Sequence, residues 1–543
     1  MKLDAKLSFE IRHKDLLGRI GLLRTKRGTL ETPFLLPVVN PNSQMIAPLA
    51  LRDTFGFDAI ITNSYLIWRR FREEGNAPNV HELVNFDGVI ATDSGAYQIL
   101  QYGDVEVQPN EIVQFQEKLD SDIAVILDVP TGQESSKERA KRTVDETLRR
   151  ADDALRVISR KDILWVGPVQ GGIYPDLVSY SAREMAKRDF PIHALGSPTL
   201  IMQQYQFDVL VDMVMAAKRY LPPDRPLHLF GAGHPMMFSL AVALGCDIFD
   251  SASYALFARN GRYMTAQGTA RLDDLDYFPC NCVSCHKNTP EKVRRLLLPE
   301  RERFLASHNL HSCYGELQTV KQAIVDGRLW ELVEARSRNH PALQRGFQQL
   351  LHYVRDLEPE TPVRKKKGAF ITTAESLYRP EVLRHQDRLL ERYQPPRHAI
   401  VVLLLPESYL KPFRENTLVN SLLAKLERRK DLHICAYNLS FAIIPQELLD
   451  VFPLSQSVDA IPATTATISN STKRIVDYLK IAGYKQCILV VDQPWQRKIG
   501  KSIRSRLGRK MRTKIIEVKD DDEESLSKIP TALRELGHRR RIS

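Results

Sequence analysis

Between residues 33 and 252 the apolar positions gather into eight short runs, at 34–39, 58–62, 88–92, 123–128, 164–170, 192–196, 227–231 and 246–250. The segments between them are more polar. Several of these, including 136–159, 176–188, 208–220 and 236–244, carry apolar residues at three- and four-residue spacing, the period of a helix with one buried face. Strand-like and helix-like patterns therefore alternate eight times. That repeat predicts an α/β chain whose first part is a (β/α)8 TIM barrel.

Beyond the barrel the pattern changes. Residues 317–354 read as charged helix, and the Pro-rich, basic stretch 359–368 reads as a linker. A second unit follows, with apolar strands at 399–405, 432–437 and 486–491 and helical patterns at 418–427 and 472–481. Residues 520–524 read as an acidic turn, and 525–541 as a final helix with a basic tail. The expected organisation is a barrel with an appended subdomain over 1–320, a helical segment and linker over 321–368, and a C-terminal α/β domain over 369–543.

Composition narrows the classes. At 543 residues with 43% hydrophobic content, the chain can bury two or three cores. Residues 1–21 are charged throughout, and no apolar run approaches a membrane span, so a soluble cytoplasmic protein is expected. Net charge is +11, which points towards a polyanionic partner. Much of the excess lies in 497–514, read as a basic amphipathic helix, where Arg497, Lys498, Lys501, Arg504, Arg506, Arg509 and Lys510 are the candidate nucleic-acid contacts. Such a stretch is otherwise a solvated helix face.

Three of the seven cysteines, Cys280, Cys282 and Cys285, form a C-x-C-x-x-C cluster. With His308 they supply the Cys3His set that Zn2+ favours in closed, structural sites. His286 and His311 are alternative fourth ligands, His286 being poorly placed to reach back and His311 lying about one helical turn after His308. One structural zinc per chain is expected. The other cysteines, Cys246, Cys313, Cys435 and Cys487, are scattered, as suits a reducing compartment.

In barrels of this kind chemistry is built at the C-terminal ends of the strands. The third to sixth runs lead there into Asp93 with Tyr97, Asp128, Gln170, and Gly196 with Ser197; the seventh leads into Gly231 to His234 and the eighth into Asp250. One such aspartate is commonly a helix cap. Several around one mouth suit displacement at an anomeric carbon, one carboxylate attacking and another managing protons. The glycines admit a flat ligand close to the backbone, and Tyr97 offers a stacking face.

The runs Asp93-Ser-Gly-Ala-Tyr-Gln, Val169-Gln-Gly-Gly, His228-Leu-Phe-Gly-Ala-Gly-His-Pro and Phe249-Asp-Ser-Ala-Ser-Tyr, with Cys280-x-Cys-x-x-Cys and His308, occur in family order over residues 8 to 320. Together they resemble the tRNA-guanine transglycosylase family, and its archaeal branch in particular. The resemblance implies exchange of guanine at position 15 of the tRNA D-arm for 7-cyano-7-deazaguanine (preQ0), towards archaeosine, without ATP or an organic cofactor. It implies Asp250 as nucleophile on C1′ and Asp93 as general acid/base; the residues alone leave those two roles open. It also implies Asp128 and Gln170 as readers of the guanine edge, with backbone at Gly196 and Ser197 completing the pocket, and a homodimer joined through the barrel and zinc region. Where the family commonly has a second glycine, this chain has Ser197 followed by Pro198.

The longer archaeal pattern ends in a small RNA-binding barrel, the PUA domain, and no such domain fits after Glu517. Either the C-terminal α/β domain holds the tRNA, or a separate PUA-containing chain assists. Three other readings compete. An archaeosine synthase paralogue carries a Pro-Cys-Ser-x-x-Lys-Pro pattern where this chain has Pro406-Glu407-Ser408 followed by Lys411 and Pro412. A non-catalytic tRNA-binding subunit is disfavoured by the retention of Asp93, Asp128 and Asp250. A wobble-position, queuosine-type enzyme shares the barrel chemistry but not the archaeal-like Ser-Ala-Ser-Tyr after Asp250.

Overall fold

The structure, a computed structural model, describes residues 9–73, 77–96, 106–132, 136–410, 417–518 and 523–538. It divides into two compact units, Met1–Pro362 and Val363–Ser543.

The first unit opens with an antiparallel sheet of β1 (Phe9–Asp15), β2 (Gly18–Arg24) and β3 (Thr29–Glu31). Eight parallel strands follow: β4 (Phe34–Val39), β5 (Ala59–Asn63), β6 (Val89–Asp93), β7 (Ile123–Val125), β8 (Leu164–Val169), β9 (Ile192–Leu195), β10 (Leu227–Leu229) and β11 (Ile248–Ser251). They close into a barrel when β11 pairs with β4, Ile248 opposite Phe34. All eight expected runs are strands of this barrel.

Side chains alternate across a strand, so every second residue points inward. Ala59 and Ile61, Val89 and Ala91, Ile123 and Val125, Leu164 and Val166, and Ile192 and Ala194 form one buried cluster. Phe9, Leu23 and Leu30 of the N-terminal sheet join it. That sheet was not expected from the sequence, because Glu10, Arg12 and Lys14 face solvent along β1 and leave a weak apolar signal.

After β11 come the hairpin β12 (Arg262–Thr265) and β13 (Gly268–Arg271), the cysteine cluster, and the long helix Leu298–Asp326. The helices Leu329–Ser337 and Pro341–Leu350 lie within the first unit, so the helical part of 321–368 belongs with the barrel rather than apart from it.

The second unit contains β14 (Ala369–Ile371), β15 (Val401–Pro406), β16 (Leu432–Asn438), β17 (Ala442–Pro445), β18 (Ser457–Asp459), β19 (Gln486–Val491) and β20 (Arg512–Glu517). Five make a sheet in the order β17-β16-β15-β19-β20, parallel except for β17. Val402 and Leu404 pack into a core on one face of β15, and Val401, Leu403 and Leu405 into another on the opposite face. The sheet is therefore covered on both sides, which accounts for its unbroken apolar strands.

The basic stretch 497–514 departs from expectation. It is not one helix: the helix Pro494–Leu507 ends, the chain turns through Lys510, and Arg512 and Lys514 lie on β20. Met511 is 3% exposed and anchors the turn in the core, which a continuous helix would not permit.

Candidate active site and metal centre

Asp93 is the last residue of β6, Asp128 lies just beyond β7, Gln170 just beyond β8, and Asp250 is the last residue but one of β11. The closed barrel brings these strand ends to one mouth, so charges far apart in sequence act on each other.

Asp93 accepts a hydrogen bond from Asn63 Nδ2 at 3.1 Å, and its backbone carbonyl accepts one from Ser64 Oγ at 2.7 Å. Burial, and then the charges of Asp128 and Asp250, push its carboxyl up to about 7. A carboxyl so placed exchanges a proton near neutral pH, as an acid/base group must.

Asp128 is 3% exposed, and burial pushes it up to about 6 against the opposing effect of its hydrogen bond from Gln170 Nε2. The other end of the Gln170 amide is also held. Its Oε1 accepts from the Thr131 backbone N–H at 3.1 Å and from Ser197 Oγ at 2.9 Å. Two donors on Oε1 fix which end of the amide faces Asp128. Gly196 is required beneath it: a Cβ there would lie 2.1 Å from Gln170 Nε2.

Ser197 has φ +64, in the left-handed region that glycine enters freely. Ser197 therefore keeps a glycine-like backbone and adds a hydroxyl that orients Gln170.

Asp250 Oδ1 accepts from His228 Nε2 at 2.8 Å and from the Gly231 backbone N–H at 3.0 Å. In the tautomer that makes this bond, His228 donates from Nε2 and the carboxylate oxygen accepts. Oδ2 makes no hydrogen bond among the described residues and is left for a ligand. His228 was not singled out as a site residue in the sequence. Its signal was there: it is the one polar residue in the three-residue strand β10, and it is buried. His234, by contrast, is engaged elsewhere. Its Nδ1 accepts from Met236 N–H, its Nε2 faces Thr269 Oγ1 at 2.7 Å, and burial holds it down to about 4. Tyr97 lies outside the described residues.

The metal-ligand candidates also converge. The Sγ atoms of Cys280, Cys282 and Cys285 and a ring nitrogen of His308 all lie within 4.8 Å of one another. His308 Nε2 sits 2.8 Å from the Met264 carbonyl, which can only accept, so Nδ1 turns its lone pair towards the sulfurs. Nδ1 is 3.4 Å from Cys285 Sγ and 3.7 Å from Cys282 Sγ. Tyr263 stacks on the imidazole at 3.5 Å between ring centroids and fixes its plane. Four such donors fit a tetrahedral metal ion. His311 instead packs on Phe55, and His286 faces Asn281 Oδ1 at 2.8 Å.

On the second unit, Arg497, Lys498, Lys501, Arg504, Arg506, Arg509 and Lys510 are all exposed. Arg497 pairs with Glu517 at 2.8 Å, which removes part of its charge from the surface. No described helix is long and apolar enough to cross a membrane.

The family described as queuine tRNA-ribosyltransferase matches residues 15–342, and a domain of unknown function matches 382–533. A tRNA-guanine(15) transglycosylase of Methanocaldococcus jannaschii is 42% identical over 480 residues, 87% of this chain and 71% of that protein. Proteins of the same name from Thermococcus kodakarensis and Haloferax volcanii are 46% and 47% identical, over 70% of this chain and 65% and 74% of their own lengths. The chain thus spans roughly two thirds to three quarters of these relatives. With the barrel, its carboxylates and the Cys3His cluster inside the matched region, the chain belongs to the tRNA-guanine transglycosylase family.

Proposed function

We propose that this protein exchanges guanine at position 15 of tRNA for preQ0 by double displacement, as a step towards archaeosine. The relatives' names specify guanine 15, which favours this position over the anticodon. The observation that carries the mechanism is the pairing of two differently held carboxylates at one mouth: Asp250, tethered through one oxygen, and Asp93, with a carboxyl near neutrality.

Asp250 Oδ2 attacks C1′ of the nucleotide as the bond to guanine N9 breaks, leaving the ribose bound to the enzyme. His228 and Gly231 N–H keep Oδ1 in place, so the free oxygen is the one presented. Protonated Asp93 gives its proton to the departing base. Ionised Asp93 then takes the N9 proton of preQ0, whose N9 attacks C1′ and releases Asp250. Protons and charge return to their starting places. Asp128 accepts from the N1–H and 2-amino group, and Gln170, oriented by Ser197 and Thr131, donates to the base.

The target base must leave its stack to reach the mouth, at a cost of a few kcal/mol. Phosphate contacts by Lys498, Lys501, Arg504, Arg506, Arg509 and Lys510 offset that cost, with Arg497 contributing less. Zn2+ is the metal that the Cys3His set suits, and in a closed site it holds the fold rather than reacts. We place the protein in the cytoplasm as a homodimer. Incubation with tRNA and labelled guanine, followed by mapping of the labelled nucleotide, tests the reading. Label at position 15 is expected; no incorporation by the wild type would overturn the enzyme, and label only at the wobble position would overturn the site.

A further inference from the structure

Asn309 is fully buried within the long helix Leu298–Asp326. Asparagine is a weak helix former, and its amide is costly to bury unsatisfied, so its place there calls for partners. It has three, all backbone groups of the segment that follows Asp250. Its Oδ1 accepts from the Met264 N–H at 2.8 Å, and its Nδ2 donates to the carbonyls of Tyr254 and Arg262, both at 3.2 Å. A backbone N–H only donates and a carbonyl only accepts, so the amide has one orientation.

Helix residues four apart share a face. Cys313 is therefore on the same face as Asn309, and its Sγ donates to the Gly233 carbonyl at 3.3 Å. These contacts reach the chain on both sides of the Asp250 carboxylate. Tyr254 lies in the first turn of the helix Ser253–Arg259, and its hydroxyl donates to the carbonyl of Val38 on β4, the strand paired with β11, at 3.0 Å. Gly233 lies in the loop of Gly231, whose N–H holds Asp250 Oδ1, and its carbonyl also accepts from Ser253 Oγ at 3.3 Å. A Cβ on Gly233 would lie 2.0 Å from Ser251 Cβ, so that loop is pressed against the residue next to Asp250. The loop that tethers Asp250 and the helix that follows it are thus fastened to one face of Leu298–Asp326.

We propose that Asn309 is a positioning residue for Asp250. It acts through the backbone of Tyr254 and Arg262 rather than on the carboxylate, and holds the chain just beyond Asp250 while His228 and Gly231 N–H hold Oδ1. Oδ2 then keeps its aim at C1′. A nucleophile misplaced by about 1 Å loses roughly 100-fold in rate, and freeing the two carbonyls from the Asn309 amide gives the segment that latitude. The role rests on Asp250 being the nucleophile.

Single-turnover formation of the covalent tRNA adduct by the full-length protein, read on a denaturing gel, tests this, with metal content and circular dichroism measured on each sample. Asn309→Asp keeps the acceptor for Met264 N–H and loses both donors. It is expected to form the adduct about 10- to 100-fold more slowly than wild type, at unchanged KM for tRNA, unchanged metal content and native secondary structure. Tyr254→Phe, which loses only the hydroxyl on Val38, should slow the same step about 2- to 10-fold, and it decides the matter if Asn309→Asp does not fold. A wild-type adduct rate in either folded variant would overturn the proposal. So would a loss that tracks lost metal or lost native signal, or a rise in KM for tRNA without a slower adduct step. If the adduct persists in Asp250→Ala, the nucleophile reading falls and the proposal with it; if it is lost there but forms at the wild-type rate in Asn309→Asp, only the positioning role falls.

Discussion

His228 Nε2 lies 2.8 Å from Asp250 Oδ1, and the two residues stand on neighbouring barrel strands that pair through His228 and Ile248. The pairing leaves one carboxylate oxygen tethered and the other free. His228→Ala is expected to lower kcat roughly 10- to 100-fold, the size of a hydrogen bond to a charged group, with a smaller change in KM. Asp250→Ala should give no covalent tRNA adduct on a denaturing gel. An adduct surviving in Asp250→Ala would rule that residue out as nucleophile.

Asp93 sets the pH behaviour. Its carboxyl is raised from 3.8 to about 7, so the folded protein holds a proton there that the unfolded chain has released. The folded state is therefore penalised increasingly as pH rises from about 4 to about 7, and the penalty is complete above that. Asp93→Asn removes it: the variant should be inactive, unfold at a higher temperature than wild type at pH 8, and show little difference near pH 4. A pH-independent difference in Tm would contradict the assignment.

Ser197 separates backbone strain from hydrogen bonding. Ser197→Gly suits φ +64 better than serine does but removes the donor to Gln170. Stability should hold or rise, while KM for guanine rises about 2- to 10-fold, as loss of one neutral hydrogen bond predicts. An unchanged KM would reduce Ser197 to a turn residue.

Metal analysis of the purified protein should find one zinc per chain, and Cys282→Ser should lose it. Chelation is expected to lower Tm and to reduce activity only as structure is lost. Rapid, reversible loss of activity at unchanged Tm and secondary structure would give the metal a direct chemical role.

On the second unit, Lys498→Ala and Lys501→Ala should weaken tRNA binding about equally across sequences. Each should reduce the slope of log K against log salt by roughly one, as read in filter-binding titrations. Arg497→Ala should do less, because Glu517 already neutralises it.

The sequence by itself carried the barrel, since strands buried inside a closed sheet must be apolar along their length and the eight runs from 34–39 to 246–250 announce themselves. It carried the cysteine cluster as well, because metal ligands from one tight loop are neighbours in the chain. The pairing of His228 with Asp250 belongs to tertiary structure: the two are 22 residues apart and meet only because β10 and β11 lie side by side. So does the orientation of the His308 ring, set by the Met264 carbonyl and the Tyr263 ring. The break in the basic stretch at Met511 is of the same kind. Charge and periodicity are local properties, whereas which polar atoms share a hydrogen bond, and which carboxylate oxygen is left free, depends on contacts between distant segments that only the folded chain creates.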